Sequence, residues 1–329
     1  MTSTVPTLSP RELASILRTA PRHLCPALDP TAPRVARVDL AGPAAEGDPV
    51  VLHPGIGTVL VGLGWDGSPA ARLCDVVLDP DDPVQADVVR TASHHPIAAS
   101  ALVGLLRGQA GRSIEDGLLI ESGAYSSLQA GEEHQVWRAR TRRKVVEDDG
   151  GPAVIVERAG DVLRLTLNRP RRHNAFGRAV RDALLEALDV AILDPSVRVE
   201  LRGAGPSFCS GGDLDEFGSA ADPSVAHLVR LGASAARSLV AVADRTTVHL
   251  HGACMGAGIE LPAFAGHVTV TADAQLALPE VALGLIPGAG GTVSLPRRIG
   301  RHRTARLALS GEVLDGPTAV AWGLADELR

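Results

Sequence analysis

Aromatic residues are scarce: three Trp, one Tyr and four Phe in 329 residues. So few π-faces argue against a surface that stacks nucleic-acid bases, and they leave the core to Ala, Val and Leu. The four cysteines (Cys25, Cys74, Cys209, Cys254) lie far apart, with no CxxC pair and no His/Cys cluster. This argues against a disulfide framework or a metal site and predicts a reducing, cytoplasmic setting. No run approaches the roughly 20 apolar residues of a membrane helix, and the N-terminus lacks a basic-then-apolar leader. A basic excess is also missing. With 32 Lys and Arg against 38 Asp and Glu, the formal charge is −6, so nothing draws the chain to nucleic acid or an anionic membrane. Hydrophobic residues make up 45%, enough for a sizeable core in one large or two ordinary domains.

Composition shifts twice along the chain. Residues 1–66 are rich in Pro and Gly, with short β-like runs at Val50-Val51-Leu52 and Thr58-Val59-Leu60-Val61. They read as an irregular segment with a few strands and one helix near residues 10–19, where Ser9 suits an N-cap and Pro10 the first helical position. Residues 67–146 read as helical. From 94 to 107, apolar residues at 97, 98, 101, 102, 105 and 106 share one face. Ser113-Ile114-Glu115-Asp116 opens a longer helix through 143, its acids where the helix dipole favours them. Residues 147–152 (EDDGGP) form a linker. Beyond it, 153–329 reads as alternating elements: strands at 153–157, 161–168, 197–202, 246–250 and 268–272, and helices at 177–193, 224–243 and 259–265. Strands alternating with helices predict an α/β fold with a largely parallel sheet.

Three Gly-rich segments follow predicted strands: Phe208-Cys209-Ser210-Gly211-Gly212-Asp213, His251 to Leu261, and Leu278 to Thr292. Small residues let a backbone approach a ligand and aim N–H groups at it, and two such loops could form an oxyanion hole. Each loop alone is weak evidence, because a glycine-rich turn is more often a mere turn, and Gly256-Ala257-Gly258 does not complete a dinucleotide fingerprint. Two acids stand out, Glu260 in Gly-Ile-Glu-Leu-Pro and Glu280 in Leu-Pro-Glu-Val-Ala. A carboxylate in apolar company is costly to ionise, so its pKa should rise. Facing one cavity, the pair could hold a water and exchange protons with a substrate. Helix capping or arginine pairing would explain each acid equally well.

The motifs run in order: Leu167-Asn168-Arg169-Pro170 with Asn174-Ala175, then Phe208 to Asp213, Gly252 to Leu261, Pro279-Glu280 through Gly291-Thr292, Leu309-Ser310-Gly311, and Ala321-Trp322-Gly323-Leu324. Taken together, residues 153–329 resemble the enoyl-CoA hydratase/isomerase (crotonase) superfamily. The resemblance implies a crotonase-type (ClpP/crotonase) spiral of β-sheets with flanking helices. It also implies an acyl-CoA thioester substrate, coenzyme A entering only as part of that substrate, with no permanently bound cofactor. By position, the backbone N–H groups of Ser210 and Ala257 would polarise the thioester carbonyl. Arg171, Arg172, Asn174 and Ala175 match the segment that lies along CoA, and Gly211, Gly212, Asp213 and Gly256 belong to the same site. Glutamates at both acid positions imply hydration of a 2-enoyl-CoA, with Glu260 activating water for Cβ and Glu280 protonating Cα. Isomerisation, a specialised hydrolase or dioxygenase, and a non-catalytic acyl-CoA-binding subunit are the competing readings. Cys209 and Cys254 flank the site without a histidine placed to activate them. The family further implies a homo-oligomer, a trimer or a hexamer, with no nucleic-acid or membrane partner.

After Gly323-Leu324-Ala325-Asp326 the family pattern continues with helices that cover the acyl pocket, whereas this sequence runs only to Arg329. Residues 70–144 resemble that continuation, from Cys74-Asp75-Val76-Val77 through His95-Pro96-Ile97-Ala98 to Glu121 and Gln129-Ala130-Gly131-Glu132. The expectation is a crotonase fold in circularly permuted order, its usual C-terminal segment (67–146) placed before the core. The alternative is an unrelated helical domain fused in front of that core.

Overall fold

The computed structural model describes residues 5–29, 31–43, 52, 56–64, 67–141, 150–217 and 222–329. Val50 and Val51, residues 142–146 of the expected helical segment and 147–149 of the expected linker lie outside them. Near the N-terminus, short β-branched runs pair in parallel. Strands β1 (Thr7–Leu8), β2 (Val35–Asp39), β3 (Val59–Leu63) and β4 (Val76–Leu78) form one sheet in that order, with helix α1 (Pro10–Thr19) after β1. Helix α1 starts as expected: Ser9 Oγ accepts from the Glu12 amide at 3.3 Å, and Glu12 returns the bond to the Ser9 amide at 2.7 Å. The period-two alternation of strands splits β3 between two cores. Leu60 joins Leu13, Leu24 and Val38, while Val59 and Val61 join the main core with Val76. Among the described residues of 1–66, the helix lies at 10–19 and the short strands pair into a sheet whose last strand, β4, lies beyond 66.

Four helices follow: α2 (Val84–His94), α3 (Pro96–Arg107), α4 (Ile114–Ala130) and α5 (Glu132–Arg140). Pro96 disfavours helical geometry at His95, so the run expected to begin at 94 splits there, with His95 at φ −125°. The exposed start of α3 is capped from afar by Glu133, whose carboxylate accepts from the Ile97 and Ala98 amides at 2.8 and 3.1 Å.

The remaining elements alternate largely as expected: β5 (Val154–Ala159), β6 (Val162–Leu167), α6 (Arg178–Leu193), β7 (Arg198–Gly203), α7 (Pro223–Gly232), α8 (Ala235–Ala241), β8 (Thr246–Leu250), β9 (Ala253–Met255), α9 (Ala257–Glu260), β10 (His267–Val270), β11 (Gln275–Ala277), α10 (Gly291–Ser310), α11 (Gly316–Trp322) and β12 (Glu327–Leu328). The six-stranded sheet runs β12-β10-β8-β7-β6-β5 and is parallel except at the β5–β6 hairpin, and β9 pairs with β11 in a separate parallel pair. The helix expected over 224–243 is broken between α7 and α8, where Ser234 re-caps the chain through its hydroxyl and the Arg237 amide.

One hydrophobic core contains Leu102, Leu106 and Leu118 from the N-terminal helices together with Leu163, Leu165, Val248 and Val293. Shared burial, at roughly 2 kcal/mol per buried leucine, and many hydrogen bonds across the seam, at about 1 kcal/mol each, together join the two halves. Residues 95–141 thus pack in cis on the second half. Gln109 Nε2 donates to Thr292 O at 2.6 Å, and His134 Nδ1 lies 2.9 Å from Leu283 O.

Candidate active site

Backbone ladders bring the three Gly-rich segments together. The Cys209 amide donates to Ala253 O (3.1 Å), the Met255 amide to Cys209 O (2.9 Å), and the Gly256 amide to Ala277 O (3.0 Å). Gly256 sits at φ +49°, ψ −118°, a conformation open to glycine. A Cβ there would overlap Glu280 Oε1 and lie 3.7 Å from Glu260 Oε1. Both carboxylates therefore converge on the bare Cα of Gly256. Glu260 and Glu280 are 2% and 8% exposed and line a cavity of about 240 Å³. Its wall also includes Gly212, Ala257, Tyr125, Arg230 and Glu121.

Hydrogen bonds distinguish the acids. Glu260 Oε2 accepts from the Ala289 and Gly291 amides at 2.7 and 2.9 Å, leaving Oε1 without a partner among the described residues. Glu280 Oε2 is buried with no partner among the described residues. Glu121, on α4, accepts from the Gly290 amide (2.7 Å), the Thr292 amide (2.8 Å) and Thr292 Oγ1 (2.7 Å). Burial pushes Glu280 up to about 7, with the Glu121 charge adding to it. Burial likewise raises Glu121 to about 7 against its hydrogen bonds to Thr292 and Gly290 and the pull of Arg230. Glu260 is raised well above its ordinary value, first by burial and then by repulsion from Glu280 and Glu121. Three buried acids cannot all ionise. A proton on Glu280 removes the largest repulsion felt by Glu260, whose two amide bonds then favour its anion.

The expected site residues divide on inspection. Glu260, Glu280, Ala257, Gly212 and Asp213 line the cavity, with Gly256 between the acids. Ser210 does not serve as an amide donor toward it: its N–H donates to His173 O at 2.9 Å. The unengaged amide of that loop on the cavity wall is Gly212. Alternate amides in a bridged loop point to opposite sides, and the ladder from Cys209 to Ala253 and Met255 sets which side each one faces. Gly211, at φ +96°, makes the turn and gives its carbonyl to the Phe176 amide.

Asn174 is a buried brace, its Oδ1 accepting from the Arg169 amide (2.8 Å) and its Nδ2 donating to Ala204 O (2.9 Å) and Ser207 O (2.8 Å). Arg172 pairs with Asp213 and Asp215, so both ends of that expected contact tie loops together. Arg171 is exposed, and neither it nor Ala175 lines the cavity. The basic residues on the wall are Arg178, Arg181 and Arg230. Arg230 stacks over Tyr125 at 4.7 Å and donates to Ser122 Oγ and Ser126 Oγ. Burial raises the Cys209 and Cys254 thiols to about 12, which suits packing rather than nucleophilic attack. Among the described residues, no cluster of His, Cys, Asp and Glu could hold a metal, and no helix is long and apolar enough to cross a membrane.

Comparison with known proteins follows the same residues. The enoyl-CoA hydratase/isomerase family model matches residues 157–329. The 2,3-dehydroadipyl-CoA hydratase of Escherichia coli is 34% identical over 176 residues, 53% of this chain and 68% of its own length. The 1,2-epoxyphenylacetyl-CoA isomerase of the same organism is 36% identical over 170 residues, 50% of this chain and 64% of its own. The matched stretch thus spans about two thirds of these relatives. A crystal structure of enoyl-CoA hydratase from Thermoplasma volcanium superposes with a TM-score of 0.51 at 32% identity, covering 54% of this chain and 72% of that one. With its ordered motifs and its α/β sheets, the chain belongs to the enoyl-CoA hydratase/isomerase family and carries the crotonase fold.

Proposed function

We propose that the protein adds water across the 2,3-double bond of an acyl-CoA thioester. The observation that carries this reading is the convergence of Glu260 Oε1 and Glu280 on Gly256, inside a cavity lined also by Gly212 and Ala257, each with a backbone amide to offer. Those two amides, rather than the pair expected from the sequence, hold the thioester oxygen as it gains negative charge, and a donor of this kind is worth roughly 3 kcal/mol of barrier. Glu260 as the anion takes a proton from the water that attacks Cβ. Glu280, kept protonated by the burial of its carboxyl, delivers its proton to Cα. Afterwards Glu260 carries the proton and Glu280 the charge, and exchange with solvent resets the pair. Nothing in this scheme calls for a bound cofactor. Arg178 and Arg181 supply positive charge at the cavity wall, where the CoA phosphates would approach. We place association into a trimer or hexamer on the family likeness.

The helices of 84–141 complete the site from before the core in sequence. In this reading they stand in for the segment that follows the core in relatives, a circularly permuted order. Their packing onto α10 and Leu283 in cis supports it. Isomerisation is the second reading, favoured by the 36% identity to a named isomerase, and it needs one competent acid–base group and no bound water.

Loss of crotonyl-CoA absorbance, run beside a 3-enoyl-CoA and a CoA-release assay, separates these activities. Glu260→Gln and Glu280→Gln should each lower hydration at least a hundredfold, the usual scale of general acid–base catalysis. Near-normal turnover in both variants would refute the assignment.

A further inference from the structure

The chain entering α10, from Ala289 to Thr292, offers four consecutive amides, and two carboxylates divide them alternately. Glu260 holds Ala289 and Gly291; Glu121 holds Gly290 and Thr292. Successive peptide groups point to different sides, so the acids grip one turn from two directions. They do so differently. Glu121 has both oxygens occupied, by two amides and the Thr292 hydroxyl. Glu260 commits only Oε2 and keeps Oε1 toward Gly256.

We infer that Glu121 is a positioning residue for the reaction: by occupying the Gly290 and Thr292 amides it confines Glu260 to the other two and fixes which Glu260 oxygen faces the substrate. This deepens the hydration reading and rests on it. Glu121 lies on α4, outside residues 157–329 that match the family model. The matched half therefore does not complete its own acid–base site. The same turn is clamped further from that side by Gln109 Nε2 on Thr292 O and by Gly117, where any Cβ would collide with Val293. The charged groups facing Glu121 are Arg230 of α7 and the two other acids, and Tyr125 of α4 stays neutral because burial raises its phenol. Without Glu121, the Gly290 and Thr292 amides become open to Glu260, which can swing off its present pair and withdraw Oε1 from Gly256.

The test compares the full chain with Glu121→Gln. A purely local cap would expose only its own amides. The proposal requires that hydrogen exchange of all four amides, Ala289 and Gly291 included, accelerate about tenfold or more in the substrate-free variant. It also requires kcat for crotonyl-CoA to fall roughly ten- to hundredfold with KM within about threefold, the scale of a small misplacement of a reacting group. Ala289 and Gly291 exchanging as in the wild type, or kcat within twofold of it, overturns the proposal. If Glu121→Gln does not fold, Glu121→Asp keeps the charge while withdrawing the carboxylate and is read in the same way. A wild type that hydrates no enoyl-CoA defeats the functional reading, while the exchange experiment still decides whether Glu121 governs the grip of Glu260.

Discussion

Replacing Glu280 by Gln should stabilise the protein at alkaline pH while disabling it. The carboxyl is buried, its Oε2 has no partner among the described residues, and burial raises it from 4.5 to about 7. A carboxyl whose folded value lies above its unfolded value binds protons more tightly when folded. Its stabilising contribution is complete below about 4.5 and is lost as pH rises through about 7. A rise of roughly 2.5 units at about 1.4 kcal/mol per unit makes ionised Glu280 cost roughly 3 kcal/mol. Most of that cost appears between pH 5 and pH 8. Urea unfolding of wild type and Glu280→Gln at both pH values measures it as a double difference, in which pH effects common to the two proteins cancel. The wild type should lose about 2–3 kcal/mol relative to the variant on going from pH 5 to pH 8, while hydration in the variant falls at least a hundredfold. Parallel pH dependence of stability in the two proteins would show that Glu280 ionises without penalty. Its role as a retained proton donor would then fail.

Two further predictions concern groups away from the reacting carbons. Arg107 and Asp75 are each 2% exposed and bond at 2.8 Å through Nε, so Arg107→Met strands a buried carboxylate. Denaturant unfolding should show a loss of about 3–5 kcal/mol; a loss under 1 kcal/mol would mean that Arg301, 3.8 Å from Asp75, carries the compensation alone. Cys209 and Cys254, their thiols raised to about 12 by burial, should resist iodoacetamide at pH 8 in the folded protein and react once urea unfolds it. Labelling of the native protein at either position, read by peptide mass, would contradict that environment.

What was legible depended on how local the cause is. Helix α1 announces itself because Ser9, Pro10 and Glu12 build their own cap. Glu260 and Glu280 announce themselves because their flanking residues are apolar, and their burial follows. The amide that faces the cavity did not. Ser210 and Gly212 are two residues apart in a run of small residues, and the choice between them is made by a ladder to Ala253 and Met255 some forty positions away. The N-terminal sheet was hidden for a similar reason. Its strands are two to five residues long, too short for a periodic signal, and their pairing is parallel, so no hairpin turn marks it.

Glu121 marks the limit most sharply. In sequence it is an acid in the middle of α4 on the face that also buries Leu118 and Tyr125, a position where an unpaired carboxylate would cost several kcal/mol. The pattern therefore says that something must satisfy it, but the donors lie 169 and 171 residues further on. Those donors exist only because Gly290, at φ +103°, turns the chain so that its own amide and that of Thr292 face α4. Folding thus has to close a very long loop before the acid–base pair acquires its geometry, and loop-closure cost grows only slowly with length. The burial shared by α3, α4 and α10 can offset that cost. If the proposed hydration and the role inferred for Glu121 hold, any substitution that loosens α4 from α10 should reduce turnover before it reduces the content of folded sheet.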